Sequence, residues 1–522
     1  VPIAPEAIER FLTAPLPWVP ACKGMTPEDL QKLITTASGA ALDPKTQPRP
    51  HQLEGAAWAI YRRRTLLFFW MRLGKTKIAL DWASHLKRCG LTHKKGLVIA
   101  HAPIGADVWQ SEVPKHSDLK ATVVSSGNGS TDALIDALES DCDLIVIAHS
   151  TLQQLFSIKK LNRKGVPKLY PDVEALAIAA ECFSFCIIDE THLCANHTSL
   201  RFDIVSGLVA KCRQRLGLSG TPVGRDPLAM WAQAFLIDEG QALSSNFYFF
   251  EAAFCKVRKA RFGKRQNELV FDKLKLPALK QKMDTIALAY GKNEIKGADV
   301  YAGVVDLKMG PKQRDAYNEL VTRLAEIEED DERAKEAAFI RLRQIASGYL
   351  PFNDDEGDRR IVHFADSAKL AWFREFLADP PDAQCVFFHH FIHSGELLCA
   401  ELAKAKVSHV SLRGEAGARR EALASFQSGK SQVLVANAVT GGTAIDLPMA
   451  DYLCFFESPV SPRLREQAEA RPMARGDRPL LLDDLVCAPV ERRILGFIKE
   501  GRDLASVLVH SSRKLAESLF AK

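Results

Sequence analysis

Two short segments carry residues whose types and spacing suit phosphate chemistry. The first runs Phe68-Phe69-Trp70-Met71-Arg72-Leu73-Gly74-Lys75-Thr76, between an apolar strand, Leu66 to Phe69, and a helical run from Lys77. A strand–loop–helix junction is where phosphate loops are built. Gly74 lets the backbone close around phosphate oxygens, and Lys75 supplies a point charge for the β and γ oxygens. The Thr76 hydroxyl suits Mg²⁺, and the helix N-terminus offers free N–H groups to the anion. The full pattern, G-x-x-x-x-G-K-[ST], begins with a glycine where Phe69 stands, so this segment alone is weak evidence. The second segment, Cys186-Ile187-Ile188-Asp189-Glu190-Thr191-His192, is an apolar strand ending in two carboxylates. Asp189 at the strand tip suits the Mg²⁺ shell, and Glu190 suits orienting or deprotonating an attacking water. Together the segments read as a site for ATP with Mg²⁺.

These groups need strands to hold them. Gly96 to Ala100, Leu144 to Ala148, Phe185 to Ile188 and Leu216 to Leu218 read as buried parallel strands in the first half of the chain. Cys385 to Phe388, Val407 to Leu412, Gln432 to Ala436, Tyr452 to Phe456 and Leu480 to Leu485 repeat the pattern in the second. Helical patterns alternate with them, which predicts an α/β fold with two lobes. Between the lobes, Ala242 to Gly297 is rich in Phe, Tyr, Lys and Arg, and Gln313 to Tyr349 is a long helical stretch. The charged run Glu326 to Glu336 within it reads as a solvated helix face. The expected divisions are an N-terminal segment over 1–45, a first lobe over 46–241, a helical insertion and linker over 242–365, and a second lobe over 366–522.

The chain has 522 residues, 47% hydrophobic and 25% charged, which excludes long disorder and suits two or more domains. The net charge of +5 permits a nucleic-acid partner without arguing for one. The longest apolar candidate for a membrane span, Ala175 to Ile188, is interrupted by Glu181. Val1 to Pro20 mixes Glu6, Glu9 and prolines and does not read as a signal peptide, so a cytoplasmic protein with no membrane partner is expected. Twelve cysteines lie scattered without a framework and read as reduced thiols. Cys182, Cys186 and Cys194 with His192 and His197 have a zinc-like look, as do His389, His390 and His393. Cys186 falls inside an apolar strand and the histidine group follows one, so both read as ordinary protein interior.

With these residues in place, the chain resembles helicase superfamily two. Asp189-Glu190-Thr191-His192 is similar to its DEAH-type signature, and further motifs follow in the family's order from about residue 47 to 510. Arg49-Pro50-His51-Gln52-Leu53-Glu54-Gly55 resembles the adenine-side motif of Swi/Snf-type DNA translocases. Val98 to Pro103 with Trp109 and Glu112, and then Ile147-Ala148-His149-Ser150-Thr151, resemble the backbone-contact motifs. Leu218-Ser219-Gly220-Thr221-Pro222 is similar to the motif that couples the ATP site to the track. In the second lobe Leu412-Arg413-Gly414 with Arg419 and Phe426, then Ala438 to Leu447, then Gln467-Ala468-Glu469-Ala470-Arg471, resemble motifs IV to VI. Leu342-Arg343-Gln344-Ile345 and Ser367-Ala368-Lys369-Leu370 stand where the family has its helical linker and the start of lobe two. The chain departs from the pattern at Arg72 and Ala444, where glycines are usual, and at Asp446, where Asn is usual. The second motif VI arginine falls on Ala474, and Arg475 stands one position later.

The resemblance implies two tandem RecA-like lobes with parallel sheets, joined by a helical insertion, with ATP between the lobes. It implies that Gln52 reads the adenine edge, that Gly74, Lys75, Thr76 and Asp189 hold Mg-ATP, and that Glu190, Arg471 and Arg475 serve catalysis with Lys75. It assigns coupling to His192, Ser219, Gly220, Thr221 and Gln467. It assigns nucleic-acid contacts to Pro103, His149, Ser150, Arg413, Gly442 and Thr443. The compact chain is similar to phage or prophage members, which implies a bacterial or phage-infected cell. The expected track is double-stranded DNA gripped by its phosphates without regard to sequence, leaving room for an unidentified protein partner that supplies specificity. A strand-separating helicase, a restriction-type motor subunit and a non-hydrolysing DNA-binding scaffold stay open as other readings.

Overall fold

The computed structural model describes residues 4–501 apart from 72, 102, 126, 128, 162–164, 221–226, 259–267, 292–293, 295–298, 326–331, 355, 439–446 and 473–477. Thr221, Gly442, Thr443 and Arg475 therefore lie outside the described residues. So do the departures at Arg72, Ala444, Asp446 and Ala474. The chain divides into two compact units, 1–295 and 296–522.

In the first unit the strands are β1 (Arg64–Phe69), β2 (Lys95–Ala100), β3 (Ala121–Val124), β4 (Leu144–Ala148), β5 (Ser157–Leu161), β6 (Pro167–Pro171), β7 (Phe183–Ile188), β8 (Gln214–Leu218), β9 (Cys255–Arg258), β10 (Glu268–Phe271) and β11 (Ala287–Tyr290). Seven of them form one sheet in the order β11-β1-β8-β7-β2-β4-β3, every neighbouring pair parallel. The pairs β5–β6 and β9–β10 are separate antiparallel ribbons. Alternate residues of the central strands enter two cores, as a strand's period of two requires. Leu66, Phe68, Leu97, Ile99, Ile145 and Ile147 point to one. Leu67, Phe69, Val98, Val146, Ile187 and Leu216 point to the other. A sheet buried on both faces explains why these segments read as continuous apolar runs.

The second unit carries β12 (Val300–Asp306), β13 (Tyr349–Asn353), β14 (Arg359–His363), β15 (Cys385–His389), β16 (His409–Ser411), β17 (Val433–Asn437), β18 (Tyr452–Phe455) and β19 (Leu480–Val486). Six of these form a second all-parallel sheet, β12-β19-β18-β15-β17-β16. The fold is thus α/β with two RecA-like lobes. The expected 242–365 insertion contributes to both sheets, β11 to the first and β12 to the second. Its helical stretch forms Pro311–Ala325 and Glu332–Ala346. Among the described residues no helix is long and apolar enough to cross a membrane.

Candidate active site

In parallel α/β sheets ligands bind beyond the carboxyl ends of the strands, because the following helices start there. The first unit gathers its charges at that edge. β1 runs into the phosphate-loop segment, and helix Lys75–Arg88 starts from Gly74, whose φ of 76° is left-handed. The left-handed conformation favours glycine here, and a side chain on Gly74 would displace the Gln52 amide, whose Nε2 would lie at 2.1 Å. The N-cap, Gly74, has no side chain to bond the first N–H groups of that helix. Lys75 Nζ donates to the Phe69 carbonyl at 3.0 Å. Thr76 is half-buried beside it.

Gln52 lies on helix Pro50–Arg62 and is buried. Its Oε1 accepts from Arg49 N at 2.9 Å, and its Nε2 donates to the Leu73 carbonyl at 3.3 Å. His51 Nε2 reaches the same carbonyl at 3.0 Å. One end of the Gln52 amide thus caps its own helix and the other holds the loop.

At the end of β7, Asp189 is half-buried. Its Oδ2 accepts from Trp109 Nε1 at 3.1 Å, and its Oδ1 accepts from Glu190 N at 3.0 Å. Burial, then the neighbouring charge of Glu190, pushes the Asp189 carboxyl up to about 6. Glu190 moves the other way. Burial works to raise it, but its hydrogen bond with His192 and the charges of His192 and Lys75 win and hold it at about 2. Glu190 also has φ 52° and ψ 57°, a left-handed backbone that costs a non-glycine residue about 1 kcal/mol or more. The short turn Thr191–Cys194 that follows brings His192 Nδ1 to 3.0 Å from Glu190 Oε2 and 3.1 Å from Ser219 Oγ. Ser219 follows β8, so this contact ties the strand carrying the acids to the neighbouring strand. Gly220 lies tight against the loop: a side chain there would meet Met71 Cγ at 3.0 Å and Lys75 Nζ at 3.4 Å.

The structure thus brings together Gln52, Gly74 and Lys75 at one loop, and Asp189, Glu190, His192 and Ser219 at the adjacent strand ends. Pro103 begins helix Pro103–His116. His149 is buried, its ring turned to the Asp189 carbonyl at 3.3 Å, and burial pushes its imidazole down to about 3. Ser150, next to it, is exposed. Two supporting residues were not assigned from sequence. Trp109, read there only as part of a backbone-contact motif, holds Asp189. Gln233 accepts from Thr191 Oγ1 at 2.8 Å, from the residue between Glu190 and His192. A lone buried Gln on the apolar helix Ala229–Asp238 was the available signal.

In the second unit Gln467 is buried on helix Pro462–Glu469, and Arg471 is buried just after it, with its carbonyl accepting from Leu447 N at 3.1 Å. Arg413 pairs with Glu396 at 3.1 Å. Glu457, after β18, is a buried carboxylate that sequence reading missed, although a lone acid ending an apolar strand marks it. Its Oε2 accepts from His390 N at 2.7 Å and Phe391 N at 2.9 Å, and its Oε1 from Ser394. The zinc-like groups are otherwise occupied. Cys186 and Cys194 are buried thiols, and His389 bonds the Phe391 carbonyl at 2.9 Å. Among the described residues no group of three His, Cys, Asp or Glu is arranged to hold a metal ion.

A lysine loop and a carboxylate pair at the carboxyl edge of one parallel sheet, followed in the chain by a second such sheet, define a nucleoside-triphosphate hydrolase of the two-lobed α/β class. Comparison with known sequences gives the family. Residues 51–347 match the SNF2-related domain and residues 368–476 the helicase conserved C-terminal domain, and the chain belongs to the SNF2-related family of ATP-driven nucleic-acid motors. A curated relative, putative protein p41 of Acyrthosiphon pisum secondary endosymbiont phage 1, is 23% identical over 416 residues, covering 77% of this chain and 82% of its own. Among solved structures the chain is similar to the SWI2/SNF2 ATPase core of Sulfolobus solfataricus in complex with dsDNA, at TM-score 0.38 and 17% identity over 91% of this chain and 97% of that one. The core domain of the same ATPase gives TM-score 0.38 and 18% identity, over 90% of this chain and 91% of the other.

Proposed function

We propose that this SNF2-family ATPase is a translocase that moves along double-stranded DNA, with hydrolysis stimulated by that DNA. The observation that supports it most is the split pair Asp189–Glu190 beside Lys75, linked through His192 to Ser219. One carboxyl raised and its neighbour lowered is how a site assigns two acids to two tasks. Glu190, held ionised, orients and accepts a proton from the attacking water. Lys75 places its charge on the phosphate oxygens, with the start of its helix behind it. Gln52 sets the loop at the adenine end. Asp189 and Thr76 offer hard oxygen donors, which suit Mg²⁺, and the raised Asp189 carboxyl marks a charge that gains from a cation. Bound there, Mg²⁺ would neutralise charge on the β and γ oxygens.

Arg471, and Arg475 after it, are assigned to the charge on the transferring phosphate, and Gln467 to coupling. The His192–Ser219 contact, with Gly220 against Lys75, is assigned to reporting nucleotide state to the strand ends that lead to Pro103 and Ser150. Those residues, with Arg413 and the segment containing Gly442 and Thr443, are assigned to the DNA backbone. His149 acts behind them, buried against Asp189. The phage relative agrees with a cytoplasmic setting in a bacterial or phage-infected cell.

The test is ATP turnover with duplex DNA, single-stranded DNA and RNA side by side. Duplex DNA is expected to stimulate most, with an apparent affinity that weakens steeply as salt rises. Stronger stimulation by RNA, or none by any nucleic acid, overturns the reading.

A further inference from the structure

The ribbon β5–β6 lies outside the sheet and outside every motif assigned above. Helix His149–Leu155, which begins at the carboxyl end of β4, leads into it, and helix Val173–Ala180 leads out towards β7. Its base is fixed. Asp172 N donates to the carbonyl of buried Phe156 at 2.9 Å, and the Asp172 carboxylate caps the outgoing helix through Ala175 N at 3.1 Å. Beyond the base, Lys159, Lys160, Leu161, Lys168 and Leu169 are all exposed.

The charge pattern is one-sided. From Ser157 to Pro171 the sequence contains lysines and an arginine but no carboxylate. Lys160 stands directly opposite Lys168 across the ladder. Like charges in that position destabilise a strand pair, and an isolated two-stranded ribbon has little stability to spare. Among the described residues Lys159, Lys160 and Lys168 make no ion pair. Exposed lysines elsewhere on this unit do, as in Lys87–Asp143, Lys115–Glu112 and Lys120–Asp141. Side chains alternate along a strand, so Lys160 and Lys168 share one face with Tyr170, and Lys159 lies on the other. Lys168 Nζ sits 5.7 Å from the Tyr170 ring centre. Each face of the ribbon therefore carries positive charge, two lysines on one and Lys159 beside exposed Leu161 and Leu169 on the other. A ligand that answers this pattern must present negative charge on two sides of a strand pair. The major groove of a duplex does so, since phosphates line both walls and its width admits a two-stranded ribbon.

We propose that β5–β6 is a further DNA-binding element that enters the major groove of the duplex, with Lys159, Lys160 and Lys168 on the phosphates of both walls. This rests on the reading of the chain as a motor on double-stranded DNA and adds a grip apart from the stepping motifs. The grip is sequence-tolerant, because phosphate contacts carry no base information.

The experiment measures binding of a labelled mixed-sequence duplex by the whole chain between about 50 and 200 mM salt, the range over which phosphate contacts are strongly expressed. Three proteins are compared: wild type, the triple variant Lys159→Ala, Lys160→Ala, Lys168→Ala, and the triple variant with Arg at the same positions. The alanine variant is expected to lose about 0.9 of log–log salt slope per contact removed, about 2 to 3 in all, while the arginine variant keeps the wild-type slope. A second duplex carries bulky substituents on its pyrimidine C5 atoms, which face the major groove. Wild type is expected to bind it at least several-fold more weakly, an arm that needs no variant. An unchanged slope in a folded alanine variant, or equal wild-type binding to both duplexes, overturns the ribbon contact and leaves the motor reading standing. Failure of wild type to bind any duplex overturns both.

Discussion

The two parallel sheets end in opposite electrostatic styles. At the carboxyl edge of the first, two adjacent half-buried carboxyls are driven apart, Asp189 up and Glu190 down, around the cation of Lys75. At the same edge of the second, charges are closed into pairs. Glu457 takes three donors and is held low against its burial by Lys369. Lys369 bonds Glu491 and the Phe456 carbonyl, and Arg465 bonds Asp484 at 2.7 Å while lying 3.6 Å over the Phe455 ring. One edge leaves its carboxyls split beside a lysine, and the other closes its charges into pairs. Substitutions in the first should cost chemistry and spare the fold, and substitutions in the second network should cost the fold.

The largest effect is expected from Lys75→Ala. The phosphate oxygens lose their cation, so turnover should fall below detection while the melting temperature stays near wild type. Near wild-type turnover would mean that this loop is not the ATP site.

Arg471 tests the comparison from the other side, since it belongs to the second unit yet is assigned to chemistry. An arginine on the transferring phosphate is worth about 10³ to 10⁵ in rate. Arg471→Ala should therefore lose most DNA-stimulated turnover with little change in ATP binding, and Arg475→Ala should lose less. Measuring kcat for both at saturating DNA decides it. A silent Arg471→Ala removes the assignment, and a dead Arg475→Ala transfers it to the later residue.

Lys369→Ala is the structural counterpart. Removing one partner of a buried pair costs about 3 to 5 kcal/mol, because the other charge is left uncompensated. The second unit should unfold at clearly lower denaturant, and any rate loss should follow the folded fraction. A normally stable variant with slow turnover would erase the contrast between the two edges.

The same contrast explains what could be read from the chain. Central strands were legible because burial on both faces makes them unbroken apolar runs. Leu144 to Ala148 was placed to the residue, and Cys385 to Phe388 differs from β15 by one. Three of the four edge strands, β3, β11 and β12, were not. β12 alternates exposed and half-buried residues, and β3 is only four residues long with one buried. β8 was expected from Leu216 but starts at Gln214. The obstacle was Arg215, which a sequence places outside a core, yet its guanidinium is buried on the carbonyls of Cys212, Leu236 and Ala210 and on Glu239. β16 was expected from Val407, but that residue closes the preceding helix through Leu402, and the strand starts at His409. At the site, Lys75, Asp189 and Glu190 were legible from local order along the chain. Their supports were not, because Trp109 and Gln233 come from other elements, and only folding shows which acid or turn they hold.

The smallest expected effect is the most specific to the first edge. Asp189 ionises near 6 in the fold against an ordinary 3.8, so between those values the folded chain holds a proton that the unfolded chain has released. Folding stability from this group therefore falls as pH rises from about 4 to about 6 and stays lower above that. Glu190 acts oppositely: its contribution is full above its ordinary 4.5 and is lost as pH falls towards 2. At neutral pH the fold thus carries the cost of a half-buried Asp189 charge beside Glu190, which a ligand cation would offset. Asp189→Asn removes that charge and keeps an oxygen for Trp109 Nε1, at the loss of the acceptor for Glu190 N. The variant should melt a few degrees higher than wild type at pH 7 without nucleotide, with the difference closing near pH 4. Added Mg-ATP should raise the melting temperature of wild type and not of the variant, since only a ligand that binds the folded state stabilises it. A variant that melts lower than wild type at pH 7 would show that Asp189 is paid for inside the fold, and the first edge would then resemble the second.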